Sequence, residues 1–212
     1  MSREAQASIP LRVHALLDWS GANGPGERTV IWLQGCTLGC PGCWNPASHS
    51  RADGFERSVE DTLAWLEAAR SRAAIAGLTI SGGEPMEQAP GLVELVEGTS
   101  RRFQSFSIGL FSGYGEGELD RGRYRCFPER EPLEKRELWR RIRRTLDFAV
   151  LGRYNARAPS SDPLVTSKNQ RLQLYSDRHS PADFGPQLVE VIINTQGLSQ
   201  VTGFPVNGSA TE

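Results

Sequence analysis

An α/β fold, an open or partial (β/α) barrel with mostly parallel strands, is expected from three properties of this chain. Short β-branched or aromatic runs alternate with longer stretches of helical periodicity, which is the pattern of parallel βα units. The alternations are too few for a closed eightfold barrel, which needs about 200 to 250 residues of regular units. Hydrophobic residues make up 38% of the 212 residues and charged residues 23%, so the chain can bury a core.

The first elements flank a loop of turn-forming residues. Residues 11–17 form a short apolar run with period-two tendencies, which predicts a first strand. Residues 20–26 are rich in glycine and polar turn formers and are predicted as loop. The β-branched and aromatic residues 29–33 predict a buried strand, which leads directly into a cysteine-containing loop at 34–48.

The middle of the chain continues the alternation of helix and strand. Ser58 predicts a helix N-cap because acids follow it in the first turn, and the helix is expected to end near Arg72. Residues 77–80 and 106–111 are predicted strands, and the apolar residues of 92–96 belong to a helix between them.

The last third begins with a glycine- and arginine-rich stretch, 112–132, which is predicted to be mostly loop. A helix is expected over 134–146 and a strand over 148–151. Residues 171–175 and 188–193 predict two further strands, at an edge of the sheet.

The chain is expected to hold one domain over residues 1–175 and a C-terminal extension over 176–212, ending in a loosely ordered tail at 202–212.

A formal net charge of −1 argues against a surface built to bind nucleic acid. No apolar run approaches the roughly 18 residues of a membrane span. No secretory signal is visible near residue 1. A soluble, cytoplasmic protein with no membrane and no nucleic-acid partner is expected.

Three of the four cysteines form a CxxxCxxC array, Cys36, Cys40 and Cys43, whereas Cys126 is far away. Thiols at this spacing on a glycine-rich loop can converge on one metal centre. A cubane cluster has four irons, so three local thiolates leave one iron open to a reactant. The alternative is a zinc site closed by His49.

A second motif, Ser81-Gly82-Gly83-Glu84, follows the strand at 77–80. Adjacent glycines at the carboxyl end of a parallel strand let a ligand approach the backbone, and this is where α/β folds place ligands. The Glu84 carboxylate suits a cationic group such as an α-amino nitrogen. Taken alone, the motif favours an ordinary turn over a ligand site, because glycine and proline usually mark turns.

Together, the two motifs resemble the radical S-adenosylmethionine (SAM) superfamily. The segment 23–28, Asn-Gly-Pro-Gly-Glu-Arg, is similar to an element of glycyl-radical-enzyme activases, and 43–46, Cys-Trp-Asn-Pro, also fits. Gly42 before the last cysteine and Trp44 after it are typical of anaerobic ribonucleotide reductase-activating proteins. Later elements of that family resemble 111–114, 147–154 and 167–171, so the resemblance extends from about His14 to Tyr175.

The resemblance implies a 4Fe–4S cluster on the three clustered cysteines, with SAM chelating the open iron. It places Ser81, Gly82, Gly83 and Glu84 along the methionine part of SAM, and Trp44 and Asn45 beside the cofactors. The implied reaction is reductive cleavage of SAM to a 5′-deoxyadenosyl radical. The implied target is a glycine of a partner glycyl radical enzyme resembling ribonucleotide reductase, with a flavodoxin or ferredoxin-type electron donor. No catalytic side chain is assigned.

Two other functions stay open: a radical SAM enzyme that acts directly on a small metabolite or peptide, and a zinc-stabilised adaptor without activity. Cys126 is expected to be a buried small hydrophobe. The histidines, His14, His49 and His179, are expected at the surface or in packing. The basic run of the helix at 134–146 is either a solvated face or a docking surface for an acidic electron carrier. Its members are Lys135, Arg136, Arg140, Arg141, Arg143 and Arg144.

Overall fold

A seven-stranded sheet runs through the computed structural model, which describes residues 9–193 and 199–204. Its strands are β1 (Leu11–Ser20), β2 (Arg28–Leu33), β3 (Phe55–Arg57), β4 (Gly77–Gly82), β5 (Ser107–Ser112), β6 (Phe148–Leu151) and β7 (Arg171–Leu174). The spatial order is β3-β1-β2-β4-β5-β6-β7. The four central strands, β2, β4, β5 and β6, are parallel, and the flanking pairings are antiparallel. The α/β prediction is confirmed, with the parallel part confined to the centre of an open sheet.

Four helices accompany the sheet: α1 (Val59–Arg72), α2 (Ala89–Arg102), α3 (Glu116–Asp120) and α4 (Pro132–Arg143). The predicted cap of α1 is confirmed, because the Ser58 hydroxyl accepts the Asp61 N–H at 3.0 Å. The prediction of loop over 112–132 is wrong in part, since α3 lies within it. Helix α4 begins before the predicted residue 134 because Pro132 suits the first helical turn.

The two faces of the central strands differ. Ile31, Ile80 and Leu110 share a buried cluster with side chains of α1, α2 and α4, among them Leu66, Leu95 and Trp139. The alternate positions of the same strands turn away from these helices, because side chains alternate along a strand. The helices therefore cover one face of the parallel strands and leave the other for the C-terminal part of the chain.

The C-terminal part contains a separate antiparallel hairpin, β8 (Val189–Ile193) and β9 (Ser199–Gly203). The prediction that 188–193 joins an edge of the main sheet is therefore wrong, whereas 171–175 does form the edge strand β7. Thr202 lies in β9 rather than in a loose tail, and 205–212 is outside the described residues. The division into domains at residue 175 stays a prediction.

The basic run on α4 is largely paired within the chain. Salt bridges join Lys135 to Glu129, Arg140 to Glu137, Arg141 to Glu97 and Arg143 to Asp120. Pairing with the chain's own acids supports the solvated face over the docking surface. Of the helices in the described ranges, none combines the length and apolarity needed to cross a membrane.

Candidate active site at the carboxyl ends of the parallel strands

A cavity of about 770 Å³ opens at the carboxyl ends of β2, β4 and β5. Ligands of α/β proteins bind at this end of the strands. All nine site residues predicted from the sequence line this one cavity: Cys36, Cys40, Cys43, Trp44, Asn45, Ser81, Gly82, Gly83 and Glu84. Two motifs far apart in the chain are thus brought to a common space.

The cysteine loop is shaped by glycines in the left-handed region. Gly39 and Gly42 have φ of 59° and 73°, and they stand between the thiols. The Cys43 N–H closes a turn on the Cys40 carbonyl at 3.1 Å. These turns leave all three clustered cysteines partly buried along one side of the loop, where they line the cavity.

Backbone N–H groups lie against the thiols. Burial raises the pKa of Cys36 to about 11, and the N–H groups of Leu38 and Gly39 partly offset that rise. Burial also raises the pKa of Cys40, against the effect of the Tyr154 N–H. Thiolates here need added positive charge, which a metal supplies, and N–H donors stabilise cluster sulfur. This donor set fits an iron–sulfur cluster.

The geometry gives no support to the alternative zinc site. The backbone carbonyl of His49 accepts the Cys36 N–H at 3.0 Å, so His49 does lie near the loop. Yet within the described residues no group of three or more His, Cys, Asp or Glu side chains could hold a single metal ion. A cluster binds each thiol through a different iron atom, so it does not require the three thiols to meet at one ion.

The Gly-Gly-Glu turn is packed on the start of the cysteine loop. The Gly83 N–H donates to the Leu33 carbonyl, and the Glu84 N–H donates to the Gly35 carbonyl, both at 2.8 Å. A Cβ on Gly82 or Gly83 would lie 2.3 Å from the backbone of Leu33 or Gly35. The sequence suggested that these glycines admit a ligand, and the structure shows that they also admit the neighbouring loop.

Glu84 is fully buried at the end of β4. One carboxylate oxygen accepts the Met86 N–H and the Ser112 hydroxyl, and the other accepts the Gly113 N–H. Desolvation raises the pKa of Glu84 to about 7 despite these bonds. Within the described residues no Lys or Arg forms a salt bridge with it. A buried carboxylate without a cation beside a cavity fits a cationic ligand.

Trp44 lies at the mouth of the cavity and is 39% exposed. Its ring packs against the ring of Tyr154, with centroids 5.4 Å apart. Tyr154 was not predicted as a site residue, although it ends the segment 147–154 that carries part of the resemblance. The Tyr154 N–H lies against the Cys40 thiol and Trp44 directly follows Cys43, so the aromatic pair lies next to these two cysteines.

Glu87 is a further site residue that the sequence does not reveal. It is fully buried, and one of its oxygens accepts both the backbone N–H and the hydroxyl of Thr37, at 2.7 and 2.5 Å. Its other oxygen has no hydrogen bond and lies 3.7 Å from Arg51. Because Thr37 is within the CxxxC segment, Glu87 fixes the loop between two of the cysteines.

His14, like His49, lines the cavity, and the expectation that it is a surface or packing residue rather than a ligand stays a prediction. The His14 ring contacts Gln34. Its Nδ1 is 2.7 Å from the amide oxygen of Gln34. The Gln34 amide nitrogen donates to the carbonyls of Ala47 and Ser50, which assigns the oxygen to His14. The Nδ1–H of His14 therefore donates to the Gln34 amide oxygen.

Comparison with known families adds an independent observation. The sequence pattern described as a 4Fe-4S single cluster domain matches residues 22–173, most of the chain. The chain belongs to this family. In this 4Fe-4S single cluster domain, the matched segment contains all nine predicted site residues and ends before the β8–β9 hairpin.

The chain is also similar to curated proteins. The pyruvate formate-lyase-activating enzyme of Listeria monocytogenes is 38% identical over 87 residues, which cover 39% of this chain and 34% of that protein. The anaerobic ribonucleoside-triphosphate reductase-activating protein of Enterobacteria phage T4 is 27% identical over 157 residues, 73% of this chain and 88% of that protein. The chain thus spans about a third of the first relative and most of the second. QueE from Escherichia coli shares 22% identity over 57% of this chain and 56% of its own, with a TM-score of 0.35, too low to bear on function.

Proposed function

We propose that the protein is a radical SAM enzyme that installs a glycyl radical in a partner enzyme such as anaerobic ribonucleotide reductase. One observation carries this proposal: the three-thiol loop and the uncompensated carboxylate of Glu84 face the same cavity. Thiolates suit an iron–sulfur cluster, and the buried carboxylate suits the cationic amino group of SAM.

Each part of the site then has a role. Cys36, Cys40 and Cys43 hold the 4Fe–4S cluster, and Trp44 with Asn45 covers it. Glu84 binds the amino group of SAM, with Ser81 and the two glycines along the methionine chain. When bound, the cluster and SAM supply one-electron cleavage of the sulfonium to methionine and a 5′-deoxyadenosyl radical. The protein orients the reactants and excludes water.

Similarity to two groups of activating proteins supports the partner class, a glycyl radical enzyme. A flavodoxin or ferredoxin-type donor would supply the electron. The sheet would be curved into the partial barrel of radical SAM proteins, with the cavity on its concave side. A radical SAM enzyme acting directly on a metabolite or peptide is the second candidate, because the β8–β9 hairpin beyond the family match lines the cavity.

Anaerobic reconstitution tests the proposal. We expect about four iron and four sulfide per chain, and 5′-deoxyadenosine after addition of SAM and reductant. Adding the catalytic subunit of the anaerobic reductase from the same organism should give a glycyl doublet by electron paramagnetic resonance. Cys40→Ala should lose the cluster, whereas Cys126→Ala, a buried thiol outside the cavity lining, should keep it. Bound zinc without sulfide after reconstitution would contradict the assignment as an activase. Turnover of a metabolite without a protein partner would contradict it as well.

A further inference from the structure

The β8–β9 hairpin has two distinct faces. Cross-strand partners share a face, so Val191 pairs outward with Val201, and Ile192 pairs inward with Gln200. Val191 is 61% exposed and lies outside the cavity lining, and Val201 is 65% exposed but contributes to it. The inward pair is half-buried, and both of its residues line the active-site cavity. The hairpin therefore forms one wall of the cavity that the cysteine loop and the Gly-Gly-Glu turn also enclose.

Two polar contacts hold this wall on the rest of the molecule. The Glu190 carboxylate accepts the Ser20 hydroxyl and, at 2.8 Å, the Gly21 N–H. The Thr202 hydroxyl accepts the side-chain amide of Asn23 at 2.9 Å. These contacts reach the last residue of β1 and the turn that precedes β2. Glu190 and Thr202 thus fix the hairpin, and Ile192 and Gln200 remain free to contact a ligand.

Gln200 lines the cavity, and among the described residues none forms a hydrogen bond with its side-chain amide. A primary amide both donates and accepts, which is what pairing with a peptide group requires. Ile192 beside it offers apolar surface. The inner face of the hairpin thus resembles a short peptide-binding surface rather than a packing surface.

The charges of the cavity favour a neutral substrate. No Lys or Arg belongs to the cavity lining within the described residues, and Glu84 is its only carboxylate. The carboxylate of SAM would be held by the open iron, whereas a phosphorylated or carboxylated substrate would find no cation of the described lining there, at a high desolvation cost. The volume of about 770 Å³ lies within the range of about 300 to 1,000 Å³ that is usual for ligand sites.

We propose that Ile192 and Gln200 are substrate-specificity residues that bind a peptide segment of a protein substrate. The Gln200 amide pairs with a backbone amide of that segment, and Ile192 packs beside it. The proposal rests on the proposed function for the reaction itself. It adds that the substrate is recognised at the inner face of the hairpin, and it favours a peptide over an anionic metabolite as the substrate.

The test compares three variants of the full-length, reconstituted protein: Ile192→Ala, Gln200→Ala and the outward-facing control Val191→Ala. For each, we would measure iron content, SAM affinity, 5′-deoxyadenosine formed without substrate, and glycyl radical formed on the reductase subunit. Truncating an interface anchor typically costs over 1 kcal/mol. We therefore expect the glycyl radical yield at limiting reductase to fall about tenfold in Ile192→Ala and Gln200→Ala. Iron content, SAM affinity and 5′-deoxyadenosine formation should not change in these two variants. In the control Val191→Ala, none of the four quantities should change.

Two results would overturn this inference: unchanged radical yield in both inward variants, or equal loss of SAM affinity and radical yield, which would place SAM rather than substrate against the hairpin. Failure of the proposed function is distinguishable, since the wild-type protein would then form neither 5′-deoxyadenosine nor a glycyl radical. Circular dichroism of each variant shows whether folding is retained.

Discussion

At the scale of single residues, Glu84 is a fully buried carboxylate that forms no salt bridge within the described residues. Its pKa of about 7 in the folded protein lies above the usual 4.5 of a glutamate. Folding therefore favours the protonated form of Glu84. The free energy of unfolding falls as pH rises from 4.5 through about 7, because the buried carboxyl group ionises less readily than it does in the unfolded chain. A cationic ligand reverses this preference because it stabilises the carboxylate.

The affinity for SAM should consequently depend on pH. Binding lowers the pKa of Glu84 and releases a proton, so we expect the Kd for SAM to fall from about pH 6 to about pH 8 and then level off. Isothermal titration in buffers of different ionisation enthalpy measures both the Kd and the released proton. Glu84→Gln should weaken SAM binding about tenfold or more and remove the pH dependence. A Glu84→Gln protein with the wild-type pH profile would show that another group titrates.

At the scale of elements, the cysteine loop is held by a turn far from it in sequence. Glu87 lies in the turn between β4 and α2, and its carboxylate joins that turn to Thr37 in the loop. Arg51 adds a cation behind the carboxylate and stacks on Phe127 at 3.7 Å. The position of the cysteines thus depends on contacts outside their own loop.

Removing this contact should loosen the cluster without unfolding the sheet. In Glu87→Ala the Thr37 N–H and hydroxyl lose a buried acceptor, at a cost of about 1 to 3 kcal/mol. We expect a chelator to remove iron about tenfold faster, whereas Glu87→Gln, which keeps an acceptor oxygen, should be intermediate. Glu97→Gln is the matched control, because Glu97 bonds Arg141 away from the loop. Equal rates of iron loss in Glu87→Ala and Glu97→Gln would exclude this role.

At the scale of the whole molecule, Arg28 joins the central strands. It is fully buried, and its guanidinium donates to Thr79 and Leu78 of β4 and to Ser107 of β5. The ring of Phe148 in β6 lies 5.0 Å from it. Burial lowers its pKa to about 9. One side chain of β2 therefore contacts all three other parallel strands.

Replacing Arg28 should destabilise the entire fold. Arg28→Leu leaves several buried acceptors unpaired, and we expect a loss of about 3 kcal/mol or more in the free energy of unfolding. Chemical denaturation of the protein measures this loss. Arg72→Leu, which breaks an exposed pair with Asp18, should cost under about 1 kcal/mol. Similar costs for the two substitutions would show that the buried network contributes little.

Sequence patterns predicted those helices, strands and turns that depend only on residues close together in the chain. The Ser58 cap, the strands around the cysteine loop and the β4 turn each depend on neighbouring residues. The antiparallel pairing of β1 with β2, the three-residue strand β3 and the strand β9 were missed. Pairing is a long-range choice, and β9 has small, polar residues with little apolar periodicity.

The chemistry proposed for the site follows from the sequence itself, because the residues proposed as ligands lie in two short segments whose spacing and glycines constrain how thiols and backbone can be placed. Tertiary structure alone decided the rest. It brought Glu87, His14 and Tyr154 to the cysteine loop, and it set the β8–β9 hairpin over a cavity lined by no Lys or Arg in the described residues. Those features arise from packing between residues distant in the chain, which no local spacing encodes.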